Sequence, residues 1–170
     1  MSTILQGDAT GLWRDLVQEG EARSATPLEE EVEAYLVFVL MRYASDATLL
    51  RRTMALELLE ALQASGRQRM DELRDVGDRC LLIAGWFPRL ATRRRVGPRY
   101  FAELGRGAYG QLAEAARQAY AELFDKLAQA FDPMVSVLAH AAAVVQGDAR
   151  VRGTASGELL QAGLAAGRVH

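Results

Sequence analysis

Residues 77–100 read GDRCLLIAGWFPRLATRRRVGPRY. Apolar residues recur at helical spacing in the first half of this stretch, and Pro88 then pushes the residue before it out of helical conformation. Gly97 and Pro98 form a second break, and Phe101 begins another helical pattern. The stretch therefore predicts the end of one core helix, a short connecting turn and the start of the next helix.

The same alternation of helical patterns and breaks extends over the rest of the chain. Ala, Leu, Glu, Arg and Gln dominate, strand-forming residues are scarce, and no segment is a credible β-strand. The pattern predicts an all-α bundle of about seven helices, over approximately 11–20, 27–43, 46–65, 70–85, 98–115, 120–131 and 133–145.

Local signals predict the boundaries of the first two helices. Gly20 is typical of a residue that ends a helix, so the first helix should stop there. In TPLEE, Thr26 can accept a hydrogen bond from the backbone of Glu29, and Pro27 suits the first helical position. The second helix should therefore begin at this capping box.

The predicted domain organisation is one helical domain over 1–146 followed by a tail over 147–170. The tail contains five glycines in 24 residues. We expect it to be mobile, apart from a possible short helix over ELLQAGLAA at 158–166.

Composition and charge indicate a soluble protein with electrically distinct faces. The net charge of the 170 residues is −2, but residues 1–33 carry −6 and residues 86–106 carry +5. The most apolar segment, 34–44, is 11 residues long, whereas a membrane-spanning helix needs about 20. With one cysteine, no internal disulfide and no recognisable signal segment, the predicted location is cytoplasmic, without a membrane partner.

The residues that could carry catalysis or bind a cofactor lack the necessary companions. Cys80 falls on an apolar helix stripe, and the two histidines are His140, off the apolar face, and His170, the last residue. GRGAYG at 105–110 matches a dinucleotide-binding motif, but no strand precedes it, so close helix packing explains it better. We expect no catalytic residue, no metal site and no cofactor.

Arginines around the second break form the best candidate binding site. The site consists of Arg93, Arg94, Arg95, Arg99 and Tyr100, beside the start of a helix whose free N–H groups favour an anion. A competing interpretation is a solvated loop that pairs with the acidic N-terminal helices. Asp78 lies one position from the apolar stripe and is a candidate for a structural ion pair, because an aspartate drawn partly inside needs an arginine partner and this cluster is available.

Two segments, GDRCLLIAGWFP and RYFAELGRGAYGQLAE, together resemble a group of small, uncharacterised, all-helical bacterial proteins. The matching positions are Gly77, Asp78, Cys80, Leu81, Ala84, Gly85, Phe87, Pro88, Tyr100, Gly105, Ala108 and Tyr109. The resemblance implies a bacterial all-α protein and no particular activity.

The leading functional hypothesis is a non-enzymatic protein that acts through protein–protein interaction, with a homodimer as one form of it. One alternative is binding of an anion, a nucleotide or nucleic acid at Arg93–Tyr100. Another is a small apolar ligand held between helices.

Overall fold

The structure, a computed structural model, describes residues 2–45, 63–93 and 97–147; for 2–8, 44, 45, 90, 92 and 93 it describes the backbone alone. These ranges contain six helices of at least 11 residues, one helix of six residues and no strand. They are α1 (Ser2–Ser24), α2 (Glu30–Ser45), α3 (Gly66–Gly85), α4 (Pro88–Arg93), α5 (Pro98–Ala115), α6 (Ala119–Gln129) and α7 (Phe131–Gly147).

The predicted all-α fold is confirmed, with six long helices in the described residues rather than about seven. The short helix α4 occupies the connection where a turn was predicted. The helix predicted over 46–65 lies outside the described residues except at its last positions, and so does the predicted tail beyond Gly147.

Helix α3 forms the centre of the bundle. It packs most extensively against α5 and also contacts α7 and α4, while α1 packs against α7 and α2. Every residue from Val76 to Gly85 is buried, including the charged Asp78 and Arg79. A helix that is buried all round is a core element, so the stretch that predicted the fold also forms its centre.

The predicted breaks at Pro88 and Pro98 are present. At the end of α3, the N–H groups of Trp86 and Phe87 both donate to the carbonyl oxygen of Leu82, at 2.8 and 2.9 Å. Pro98 occupies the first turn of α5, where its missing N–H costs no hydrogen bond. The two breaks let the chain leave the core and return to it as α5.

The prediction that the first helix ends at Gly20 is wrong. Gly20 is buried inside α1, and a Cβ on it would overlap the carbonyl oxygen of Val137 and lie 3.3 Å from the Cβ of Ala141. The glycine therefore allows α7 to cross α1 closely, and its place in the sequence does not distinguish this role from that of a helix end.

The capping box predicted at Thr26 does not form. Helix α1 ends with Ala25 in the left-handed conformation, at φ 53°, and the N–H of Thr26 donates to the carbonyl oxygen of Glu21 at 3.1 Å. The Thr26 hydroxyl donates to the carbonyl oxygen of Ser24 at 3.0 Å. Because Thr26 completes the end of α1, α2 begins only at Glu30.

Within the described ranges, no individual helix has both the length and the apolar character needed to cross a membrane. Helices α6 and α7 meet that test only when taken together, and they are bent by 66° where they join.

Gly105 provides a direct test of close packing between helices. A Cβ at this position of α5 would overlap the Phe131 ring of α7 and lie 2.8 Å from the Cβ of Cys80 in α3. We expect Gly105→Ala to lower the free energy of unfolding by about 1–3 kcal/mol, because overpacking outweighs the gain in helix propensity.

The matched control is Gly11→Ala, at an exposed position of α1 where nothing described lies within 4 Å of the added Cβ. This change should raise the free energy of unfolding by up to about 1 kcal/mol. Urea denaturation of both variants measures the difference. Equal stabilisation by the two alanines would contradict close packing at Gly105.

Candidate functional site

The structure describes part of the predicted arginine site. Arg94 and Arg95 lie outside the described residues, and of Arg93 only the backbone, at the end of α4, is described. Arg99 and Tyr100 lie in the first turn of α5. The Arg99 side chain is 92% exposed, and Tyr100 is 43% exposed with its ring edge-on to that of Phe101.

An open groove of about 370 Å³ lies beside this helix start, between the end of α3, the first half of α5 and the start of α7. Small apolar residues and a proline contribute to its lining, together with two arginines and two carboxylates. The lining residues are Ala84, Pro98, Arg99, Ala102, Glu103, Arg106, Asp132 and Val135.

Each arginine of the groove is paired with a carboxylate. The Nε atom of Arg99 lies 3.4 Å from Glu103, and a guanidinium nitrogen of Arg106 lies 2.6 Å from Asp132. The formal charge of the lining is therefore zero. Because carboxylates repel an anion, this part of the predicted site is poorly suited to phosphate or nucleic acid.

A second cluster, which we call the Asp78 cluster, lies in the core between α2, α3 and α5. The Asp78 side chain is completely buried, and its Oδ1 atom accepts hydrogen bonds from the hydroxyls of Tyr35 (2.7 Å) and Tyr109 (2.6 Å). Its Oδ2 atom lies 3.5 Å from a guanidinium nitrogen of Arg42. One carboxylate thus connects three helices.

The position of Tyr109 depends on Gly77, the residue before Asp78. A Cβ on Gly77 would overlap the Tyr109 ring. The ring therefore lies directly against the backbone of α3, and its hydroxyl reaches the carboxylate. Tyr109 also packs against Phe124 and Phe131, with ring centroids 6.0 and 5.7 Å away, which holds the ring in place.

Asp78, the candidate for a structural ion pair, is buried, and an arginine outside the predicted cluster lies beside it. The arginine is Arg42 of α2, and the described Arg99 pairs with Glu103 instead. Arg42 also lies 2.7 Å from Asp75. Asp75 is one turn before Asp78 on α3, so one partly exposed guanidinium lies beside two carboxylates.

Burial raises the pKa of Asp78 to about 6, even though the hydrogen bonds from Tyr109 and Tyr35 and the charge of Arg42 lower it. Desolvation disfavours the charged form, and here it outweighs the donors. The same burial, together with the nearby carboxylate, raises the pKa of both tyrosine hydroxyls, so Tyr35 and Tyr109 stay protonated and remain donors.

Cys80 has the environment of a core residue. It is fully buried, and burial raises the pKa of its thiol to about 12. The thiolate is the reactive form of cysteine, so this position disfavours a nucleophile. His140 lies on α7 with its Nδ1 atom 2.8 Å from the carbonyl oxygen of Ser136. Over residues 2–45, 63–93 and 97–147, no group of three His, Cys, Asp or Glu side chains could hold a metal ion.

The sequence analysis missed Tyr35, Arg42 and Tyr109 as partners of Asp78. A weak signal exists, because Tyr35 and Arg42 are seven residues apart and share one helix face within the apolar stretch 34–44. The contacts to Asp78 span 43, 36 and 31 residues of sequence. Such distant contacts cannot be derived from helical periodicity.

The comparisons with known proteins identify no relative: no family model, no curated protein and no solved structure matches this chain.

The pKa of Asp78 leads to a prediction about stability and pH. The folded state holds the proton of this carboxyl more tightly than the unfolded chain does. The stabilisation that the protonated Asp78 contributes is therefore present at low pH and is lost as pH rises through about 6. In the parent protein, we expect Asp78 to lower the free energy of unfolding by on the order of 3 kcal/mol between about pH 4 and pH 7. The Asp78→Asn variant should lack this decrease.

The measurement is urea unfolding of both proteins across this pH range. Burial, together with Glu33, also raises the pKa of Glu21, to about 7, and so contributes a slope of the same sign. Glu21 is present in both proteins, so the difference between them isolates Asp78. Parallel stability curves for the two proteins would contradict the assignment.

Cys80 leads to a prediction about chemical labelling. We expect an alkylating reagent to modify the native protein at least about a thousandfold more slowly than the urea-unfolded protein, because the thiol reacts only after opening of the core. Mass spectrometry of this single cysteine follows both rates. Native labelling at the rate of an exposed thiol would show that Cys80 is accessible.

Proposed function

We propose that this chain acts by binding another polypeptide, and that the groove beside the start of α5 is part of the binding surface. The observation that carries the proposal is the composition of the groove lining, which combines small apolar residues with two internally neutralised ion pairs. This combination resembles a protein interface, in which an apolar centre is surrounded by a polar rim.

The polar groups of the core support a binding role over a catalytic one. Asp78 and Cys80 are both fully buried, so a substrate does not reach them in this conformation. A general acid or nucleophile must come within hydrogen-bonding reach of the reacting atom. The exposed charged groups of the groove are held in ion pairs at ordinary positions on helix surfaces.

The charge balance of the groove favours a polypeptide over a nucleic acid. A protein that binds nucleic acid neutralises phosphates with arginine or lysine side chains, and carboxylates at the same surface oppose this. Glu103 and Asp132 both line the groove, beside Arg99 and Arg106. A polypeptide supplies both charges and apolar side chains, and can match such a rim.

A photo-cross-linking amino acid at position 99 tests this proposal, because the Arg99 side chain is exposed and its replacement leaves the core unchanged. In cells that produce the protein, we expect discrete polypeptide adducts from this position. The matched control is the same amino acid at Arg117, which is exposed between α5 and α6.

Introducing Glu103→Trp, an exposed change that places a bulky ring over the groove, should abolish the adducts from position 99. Adducts that survive this change, or that form equally from position 117, would overturn the proposal. Adducts that disappear on nuclease treatment would support the nucleic-acid alternative instead.

A further inference from the structure

We propose that α6 is a lid over the Asp78 cluster, hinged at its two ends, and that the protonated Asp78 side chain favours the closed position. The lid lies where α6 packs on Tyr35 of α2 and Tyr109 of α5. This role is independent of the binding surface proposed above, which lies at the start of α5.

Helix α6 is held to the bundle by few contacts of high value. Only Phe124 and Leu127 are buried among its eleven residues. The Nζ atom of Lys126 lies 3.1 Å from Glu29 and 3.6 Å from Glu31, and all three of these side chains are more than 40% exposed. Exposed ion pairs contribute little to stability. Opening of α6 therefore costs less than exposure of α3, which is buried all round over its second half.

The connection before α6 contains a strained residue. Gln118 has φ 53° and ψ −123°, a conformation that glycine adopts readily and residues with a side chain adopt rarely. At the other end, Ala130 leaves helical conformation, and the axes of α6 and α7 are bent by 66°. Rotation of α6 about these two ends releases the strain at Gln118, so part of the cost of opening is already present in the closed position.

Phe124 connects the lid to the buried carboxylate. Its ring centroid lies 5.8 Å from that of Tyr35 and 6.0 Å from that of Tyr109. The hydroxyls of these two tyrosines donate to the Oδ1 atom of Asp78. When Phe124 moves away, one side of both rings is uncovered, and water gains a route to the carboxylate.

The charged and titratable groups around Asp78 come from three helices, and the α6 side chain that packs on the cluster is the uncharged Phe124. In the described residues these groups are Tyr35, Arg42 and Tyr43 of α2, Arg74, Asp75 and Arg79 of α3, and Tyr109 of α5.

The proton of Asp78 links the lid to pH. In the closed position burial raises the pKa of Asp78 to about 6, and hydration in the open position brings it back toward its ordinary value. The closed position therefore binds the proton more tightly than the open one. Loss of the proton, as pH rises through about 6, shifts the balance toward the open lid.

Hydrogen exchange of the full chain, measured by mass spectrometry and divided by the intrinsic rate at each pH, tests the lid. We expect the amides of α6 to exchange at least about tenfold faster than those of the second half of α3, because α6 opens without unfolding of the core. Exchange of α6 no faster than that of α3 would overturn the proposal.

Glycine substitution on the connection tests the hinge. Gln118→Gly removes the strain from the closed position and should slow the exchange of α6 about threefold or more. The matched control is Ala116→Gly on the same connection, where φ −81° and ψ 169° suit any residue. This change adds only chain entropy to the open state, so it should leave the exchange of α6 unchanged or faster. Equal effects of the two glycines would contradict a strained hinge and overturn the proposal.

The pH dependence of α6 tests the link to Asp78. Between pH 5 and pH 7, the corrected exchange of α6 in the parent protein should rise about threefold to tenfold. Asp78→Asn should abolish this rise. Tyr35→Phe, which removes one donor to the ionised carboxylate, should enlarge it. No rise in the parent protein, or a rise of equal size in all three proteins, would overturn the proposal.

Discussion

The structure depends on the buried carboxylate of Asp78. It accepts hydroxyl hydrogen bonds from Tyr35 of α2 and Tyr109 of α5 and lies 3.5 Å from Arg42. A buried carboxylate without these partners would be strongly destabilising, so any packing of the helices that separates them is disfavoured. Apolar contacts tolerate many arrangements of helices, whereas this carboxylate is satisfied only when α2, α3 and α5 meet at one place.

The helices themselves were predictable because their signals are local. Apolar residues at helical spacing predict the elements, and proline at 88 and 98 predicts two of the breaks. The failures come from residues whose local signal has two meanings. Gly20 is typical of a helix end, but in the structure it permits the close crossing of α1 and α7. Thr26 is typical of a helix start, but in the structure it completes the end of α1. Tertiary packing determines which of the two roles each residue takes, and the neighbouring residues in the sequence do not reveal that packing.

The arrangement of polar groups was harder to predict than the helices. Sequence analysis identified Asp78 as an aspartate that needs an arginine, because it lies beside an apolar stripe. It considered the arginines of 93–99 as the source of that partner, whereas the described partner is Arg42 of α2, 36 residues away in sequence. The structure also changes the interpretation of Arg99, because Glu103 forms an ion pair with it and balances its charge. A charge that is considered without its partner suggests an anion site, and the pair suggests a protein interface.

The core and the surface of α5 are physically connected. On its inner side, Gly105 brings the helix against Cys80 and Phe131, and Tyr109 is fixed to Asp78. These contacts restrain both the position and the rotation of α5 about its axis. The side of α5 that lines the groove is therefore presented in one orientation, and the proposed polypeptide partner does not have to order the helix first. Preorganisation of this kind lowers the entropic cost of association, so the buried Asp78 would favour the proposed binding at the surface without touching the partner.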